Sequence, residues 1–524
     1  MPKNSPNSKR ALLLTAAALL VFAALPARAE IRLPSIIGDH MVLQQGVPIR
    51  IWGWAQARER IDVRLSALVA SAVAGQDGLW EAILPAQKAD GMSLELTISS
   101  SVSRPVSRKD IVVGEVWVCS GQSNMEMAMA ATFTPTPELV RADIPGLRLF
   151  HVPRKTSVVP VDDIEATWET CRPDSLRSFS AVAYFFGLEL HRRLQVPVGL
   201  VESAWGGTRI EPWTPPAGFK SVPELMPLLS DLGKLQAEYA KDLGKALPDI
   251  DAWTKAVRTA IAGNAPIPPL PKLPVPPSDN PQAPATLFNG MIHPLRNFGI
   301  RGAIWYQGEA NLNDGLLYEK KMEALIKGWR ETWGLGDFPF YYVQIAPFNY
   351  GVEPDAAKTD TPDFSRLPLL WEAQRNALRI PNTGMAVVSD ITNLTDIHPQ
   401  NKKDVGYRLA LWAKARTYGE TGLVPSGPLF RSMAVEDDKV RITFDYAGSG
   451  LMSIDNGPLT WFEIASSDRT FVKAFAEIDG HTVLVSNPRI SRPEAVRFAW
   501  NQIAVANLAN REGLPASPFR TDRW

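Results

Sequence analysis

The chain has 524 residues, is 45% hydrophobic, and balances 55 basic against 55 acidic residues with only two cysteines. That length and apolar content support about three packed domains. The lack of a basic excess argues against nucleic acid or an anionic membrane as partner, since both need clustered Lys and Arg, and two cysteines exclude a disulfide-built scaffold.

Residues 1–29 read as an export signal: Lys3, Lys9 and Arg10 precede an apolar stretch from Ala11 to Leu25, and Ala27-Arg28-Ala29 suits cleavage before Glu30. Cleavage there removes four basic residues and no acid, so the formal charge moves from +0 to −4. A secreted or periplasmic protein is expected, with no membrane anchor left, because no later apolar run reaches the roughly 18 residues a spanning helix needs.

Across residues 30–110, Ile49–Trp54, Ile61–Leu65 and Leu94–Ile98 alternate apolar and polar positions, and Asp77-Gly78 precedes Leu79–Leu84. This pattern predicts an N-terminal β-sandwich. From residue 111 to about 420, strands alternate with helices, which predicts an α/β domain on a parallel sheet. Its first strand, Ile111–Cys119, breaks into Gly121-Gln122-Ser123-Asn124-Met125. Such a turn can expose a nucleophilic hydroxyl, or it can be an ordinary helix cap. A strand at Leu147–Val152, a helix at Phe179–Leu194 and a strand at Val198–Val201 follow, and the last leads into Trp205-Gly206-Gly207. Glycines past a strand end let backbone N–H groups approach a ligand.

Residues 215–285 read as an insertion. Leu225, Leu228, Leu229, Leu232 and Leu235 recur at helical spacing before a proline-dense tract from Pro266 to Pro284, which predicts a helical hairpin and a strap. The sheet resumes at Ile300–Tyr306 and ends in Gln307-Gly308-Glu309-Ala310-Asn311. An amphipathic helix through Met322, Leu325, Trp329 and Trp333, a strand at Phe340–Ile345, a helix at Leu370–Leu378 and a strand at Met385–Ser389 lead to Asp390 and Asp396-Ile397-His398-Pro399.

Of six histidines, His398 is the best-placed general base, and His293 is the second candidate. No His-x-x-x-His or Cys-x-x-Cys pair supports a metal. From residue 421 to the end, Val440–Phe444, Trp461–Ile464 and Thr482–Val485 predict a second β-sandwich. Cys119 and Cys171 are either a pair or two core thiols.

The blocks Gly38–Gln44, Gly114–Trp117, Gly121–Met125, Tyr306–Glu309, Asp396–Pro399 and Glu512–Phe519 together resemble the sialate O-acetylesterase family of SGNH hydrolases. The resemblance implies a three-layer α/β/α, flavodoxin-like fold and an esterase without a cofactor. It implies Ser123 as nucleophile, His398 as base and Asp396 as its carboxylate, with Asp390 and Glu309 as alternatives for the acid. It also implies oxyanion and substrate contacts from Gly206, Gly207, Asn311, Gln122, Gln307 and Glu309. The implied substrate is O-acetylated sialic acid, whose carboxylate Arg209 could meet, or acetylated hemicellulose such as xyloglucan in a cleft lined by Trp205, Trp213 and Trp305. The competing readings are a glycan-binding protein without catalysis and a glycosidase built on two carboxylates such as Glu309 with Asp390 or Asp396.

Overall fold

A computed structural model of the chain describes residues 30–133, 135–351 and 364–524, so the export signal expected at 1–29 lies outside the described residues. The first strands are β1 (Val42–Gln44), β2 (Ile49–Trp54), β3 (Arg60–Leu65), β4 (Leu68–Val73), β5 (Leu79–Leu84) and β6 (Leu94–Ser99). β5 alternates exposed and buried positions along its length, as a half-buried strand must. β2 pairs antiparallel with β5, while β4, β3 and β6 form a ladder that continues onto β7 (Val106–Gly121).

β7 joins two sheets. Its first residues edge the antiparallel ladder, and from Ile111 to Gly121 every position is buried, as a strand covered on both faces requires. This buried half lies inside a parallel sheet with β8 (Ile144–His151), β9 (Trp168–Cys171), β10 (Val198–Ala204), β11 (Gly302–Tyr306), β12 (Phe340–Gln344) and β13 (Thr383–Val387). The spatial order is β13-β12-β11-β7-β10-β8-β9, parallel except between β8 and β9. Both β8 and β10 stand on one side of β7, so the order differs from that of flavodoxin, where the second strand borders the first. The connections reverse direction at β7, the place where open α/β sheets bind ligands.

One hydrophobic core runs from the N-terminal strands through the parallel sheet. Trp117 on β7 is fully buried and meets Phe186 edge-on at 5.0 Å and Tyr341 stacked at 5.9 Å. Burying each such ring contributes roughly 2 to 3 kcal/mol. Trp213 and Trp305, expected to line a cleft, are also fully buried and pack edge to face at 6.1 Å.

Residues 226–262 form one 37-residue helix, not the expected hairpin. The helix runs through Pro248, and neither Gly233 nor Gly244 brings the consecutive turn residues that a reversal needs. Its Trp253 donates to Pro268 O at 2.9 Å, which ties the proline strap to the helix.

The last region has a separate core, with Ile442, Phe462, Val483 and Phe498 between two four-stranded antiparallel sheets. Ser517 donates to Gln344 Oε1 and Arg520 pairs with Glu372, docking this region on the parallel sheet.

Cys119 and Cys171 are buried free thiols. They lie on β7 and β9 with β10 and β8 between them, about 14 Å at normal strand spacing, which is too far for a disulfide. No helix among the described residues is long and apolar enough to cross a membrane.

Candidate active site

Three strand ends share one level: Gly121 of β7 is in register with Ala204 of β10 and with Tyr306 of β11. The segments that follow them, Gln122-Ser123, Trp205-Gly206-Gly207 and Gln307-Gly308-Glu309, therefore converge. Gly121 has φ +145, and a Cβ there would stand 2.1 Å from Tyr306 O, so only glycine can make this turn. Gln122 donates its N–H to Tyr306 O, and Trp205 N donates to Gly121 O, fixing the turn from both sides.

Ser123 opens a four-residue helix, Ser123–Glu126. Its Oγ lies 2.8 Å from His398 Nε2, although the residues are 275 apart in sequence. The loop after β13 delivers that histidine. Asp396 accepts the backbone N–H of His398 at 2.9 Å, and its Oδ1 is 3.6 Å from Nδ1, within ion-pair reach but too long for a hydrogen bond.

Both alternative acids are occupied. Asp390 is gripped by the guanidinium fork of Arg408 at 2.6 and 2.7 Å. Glu309 accepts from Asn124 Nδ2 at 2.6 Å, and its other oxygen is buried without a hydrogen-bond partner among the described residues. Burial raises the Glu309 pKa above the usual carboxylate value. His293 is instead structural: its Nδ1 faces Val161 O at 2.8 Å, beside Arg296.

The expected oxyanion donors separate into two groups. Gly207, at φ +74, has open space around it. Gly206 N already donates to Glu126 Oε2 at 2.8 Å, and Arg154 holds the other oxygen of that carboxylate at 2.7 Å. Asn311, fully buried, spends its Nδ2 on Glu211 and Asp314 at 2.9 and 2.6 Å, so its amide is not free to face an oxyanion. Gln307 donates to Gln122 Oε1 and Asn311 Oδ1 while its own oxygen accepts from Tyr318, which makes it the floor of the site. Gln122 Oε1 also faces the N–H groups of Gly308 and Ala310.

Arg209, expected as a carboxylate anchor, instead turns its Nε and Nη2 to Glu211 and Asp314, with Nη2 2.9 Å from each acid. Buried Lys321 bridges the same two acids at 2.7 and 2.6 Å. Burial alone would raise the Glu211 pKa, but Lys321 and Arg209 drive it down to about 2.

Sequence reasoning passed over Lys402. It is wholly buried and donates to Asn124 Oδ1 at 2.6 Å. Burial pushes its pKa down to about 7, against the pull of Glu309 and Asp396. Beside His398 a cavity of about 280 Å³ is lined by Phe133, Asn393, Asp396, Gln400 and Asn401 among others, and no Lys or Arg among the described residues lines it.

A hydroxyl, an imidazole and a carboxylate in this sequence match the needs of acyl transfer. A family model described as carbohydrate esterase, sialic acid-specific acetylesterase, matches residues 280–411. Rat sialate O-acetylesterase is 30% identical over 93% of this chain and 94% of its own length. The chain belongs to the sialate O-acetylesterase family. Human sialate O-acetylesterase aligns at 29% identity over 78% of this chain and 76% of its own. The crystal structure of a carbohydrate acetylesterase from Xanthomonas citri is similar with a TM-score of 0.78 and 35% identity, covering 94% of this chain and 100% of that one. As a member of the sialate O-acetylesterase family, the protein is a carboxylic ester hydrolase.

Proposed function

We propose that the protein is an exported carbohydrate O-acetylesterase that releases acetate from O-acetylated sugars through an acetyl-enzyme on Ser123. The observation that carries this reading is the 2.8 Å approach of Ser123 Oγ to His398 Nε2. His398 takes the hydroxyl proton as Oγ attacks the acetyl carbonyl, then passes it to the departing sugar oxygen. Water, deprotonated by the same imidazole, hydrolyses the acetyl-enzyme and frees acetate. Asp396, 3.6 Å from Nδ1, stabilises the imidazolium by charge and closes to a hydrogen bond as the transition state forms.

The oxyanion donors in this reading are the backbone N–H groups of Ser123 and Gly207, each worth about 3 kcal/mol to the transition state. Ser123 N is a first-turn amide, and such amides have no acceptor within their own helix. Gln122 holds the turn and Gln307 supports it. The α/β core is read as the SGNH three-layer fold over residues 111–420, flanked by β-sandwich regions at 30–110 and 421–524, with the insertion at about 215–285 and a signal peptide at 1–29.

The cavity beside His398 favours a neutral acetylated glycan over sialic acid. Among the described residues its lining carries aspartates and amides without a cation, and Arg209 holds two acids through its Nε and Nη2. A two-carboxylate glycosidase lacks support, because Arg408 closes off Asp390 and Asn124 occupies Glu309.

The test is acetate release from an aryl acetate and from a panel of acetylated hemicelluloses and sialylated glycans. Wild type releases acetate and Ser123→Ala, folded, does not. Wild-type turnover by Ser123→Ala would refute the reading.

A further inference from the structure

The mechanism above leaves two buried polar residues next to the reacting pair without a task, Asn124 and Lys402. Asn124 directly follows Ser123 and is 1% exposed. Its Nδ2 donates to Glu309 Oε1 at 2.6 Å and to Ile397 O at 3.0 Å, and Ile397 directly precedes His398. A single carboxamide therefore spans the serine turn and the histidine loop, with a third tie to the strand-end segment that carries Glu309.

Which end of that carboxamide faces the histidine loop is decided by Lys402. An ammonium donates only, so Nζ at 2.6 Å from Oδ1 fixes the amide oxygen on the lysine and turns the amide hydrogens toward Ile397 O and Glu309. Lys402 is the first residue of the Lys402–Trp412 helix, a rigid element packed on the Ala181–Leu194 helix. Tyr306, at the end of β11, closes the other side with its ring 5.3 Å from Nζ.

Stability alone does not account for this arrangement. Among the described residues no carboxylate is in ion-pair contact with Nζ. Burying an ammonium whose direct contacts are neutral is costly even with Glu309 and Asp396 attracting it from farther off, and an apolar side chain of the same volume would hold the helix start at least as well.

We propose that Lys402 is a positioning residue for the esterase reaction: through Asn124 it locks the Ser123 turn to the His398 loop in the register that brings Oγ and Nε2 together. The proposal rests on the reading of Ser123 and His398 as nucleophile and base.

The experiment compares full-length wild type, Lys402→Met, Asn124→Ala, the double variant and Ser123→Ala, with kcat and KM measured on an aryl acetate and thermal midpoints measured at neutral pH. Lys402→Met is expected to lower kcat by about 10- to 100-fold, the scale of a small misplacement of reacting groups, with KM within about threefold. Asn124→Ala should fall comparably, and the double variant should be no more than about threefold below the worse single variant, because both substitutions break one linkage. The thermal midpoint of Lys402→Met should equal or exceed that of wild type.

A folded Lys402→Met with kcat within about twofold of wild type overturns the proposal, as do losses that multiply in the double variant or a change confined to KM. Should Lys402→Met not fold, Asn124→Ala decides alone by the same kcat criterion. Turnover by Ser123→Ala would instead overturn the underlying assignment. An inactive Ser123→Ala beside an unaffected Lys402→Met removes only the positioning role.

Discussion

Two polar clusters lie under the same strand ends and solve opposite problems. In the first, Arg209, Glu211, Asp314, Lys321 and Asn311 satisfy one another, two cations against two carboxylates, with Glu211, Lys321 and Asn311 buried. In the second, Ser123, His398 and Asp396 are half-open to solvent, the Asp396 to Nδ1 distance is long, and one oxygen of nearby Glu309 has no hydrogen-bond partner among the described residues. A closed ion cluster fixes a loop, whereas a partly open one keeps lone pairs and protons available for chemistry. The difference also explains why Asn311, at the end of a motif shared with the site, serves the first cluster and not the second.

The largest effect should come from breaking the open cluster. His398→Ala is expected to lower kcat by at least about 10³-fold, and Asp396→Asn by about 10²-fold, the smaller loss reflecting its 3.6 Å separation from Nδ1. Steady-state rates on an aryl acetate, beside circular dichroism to verify folding, measure both. Equal losses would mean that Asp396 is hydrogen-bonded to the imidazole throughout turnover.

Breaking the closed cluster should cost stability. Lys321→Met leaves Glu211 and Asp314 sharing one half-exposed arginine, and a loss of about 3 kcal/mol is expected in denaturant unfolding. The folded fraction should retain most of its activity.

The closed cluster also sets an acid limit. The Glu211 pKa is about 2 in the fold against an ordinary glutamate value of 4.5, so its contribution is present above pH 4.5 and is lost as pH falls toward 2. At full ionisation that difference corresponds to about 3 kcal/mol. Glu211→Gln should flatten the stability profile across this window.

Lys402 acts with the opposite sign. Burial holds its folded pKa down to about 7, below the ordinary lysine value of 10.5, so burying its charge opposes folding most at and below pH 7, and the penalty fades as pH rises toward 10. Glu309 and Asp396 face it with attractive charge and limit the shift. The stability advantage of Lys402→Met over wild type should therefore be greatest below pH 7 and shrink in alkali, as unfolding at a series of pH values would reveal.

The two clusters differ in how far the sequence discloses them. Ser123 and His398 stand in short blocks of unusual composition after strong strands, and the structure brings their side chains together. The strands themselves were legible because alternation in β5 and the apolar run of β7 report burial directly. The partners of Asn311 were not, because Glu211 lies 100 residues away and nothing local marks its loop as the destination of the amide. Lys402 was hidden for a different reason. A lysine at a helix start usually reads as a solvated charge, and only the packing of Tyr306 and Asn124 around it reveals burial. Trp213 and Trp305 misled in the reverse direction, since aromatic residues beside a strand end suggest a sugar platform and here fill the core.

The most direct measurement is rapid acid quench of the wild-type enzyme turning over an aryl acetate, followed by peptide mass analysis. The account predicts an acetyl group on the peptide bearing Ser123, formed before steady state and missing from Ser123→Ala. Steady turnover with no acetylated peptide, or with the acetyl group on another residue, would contradict it.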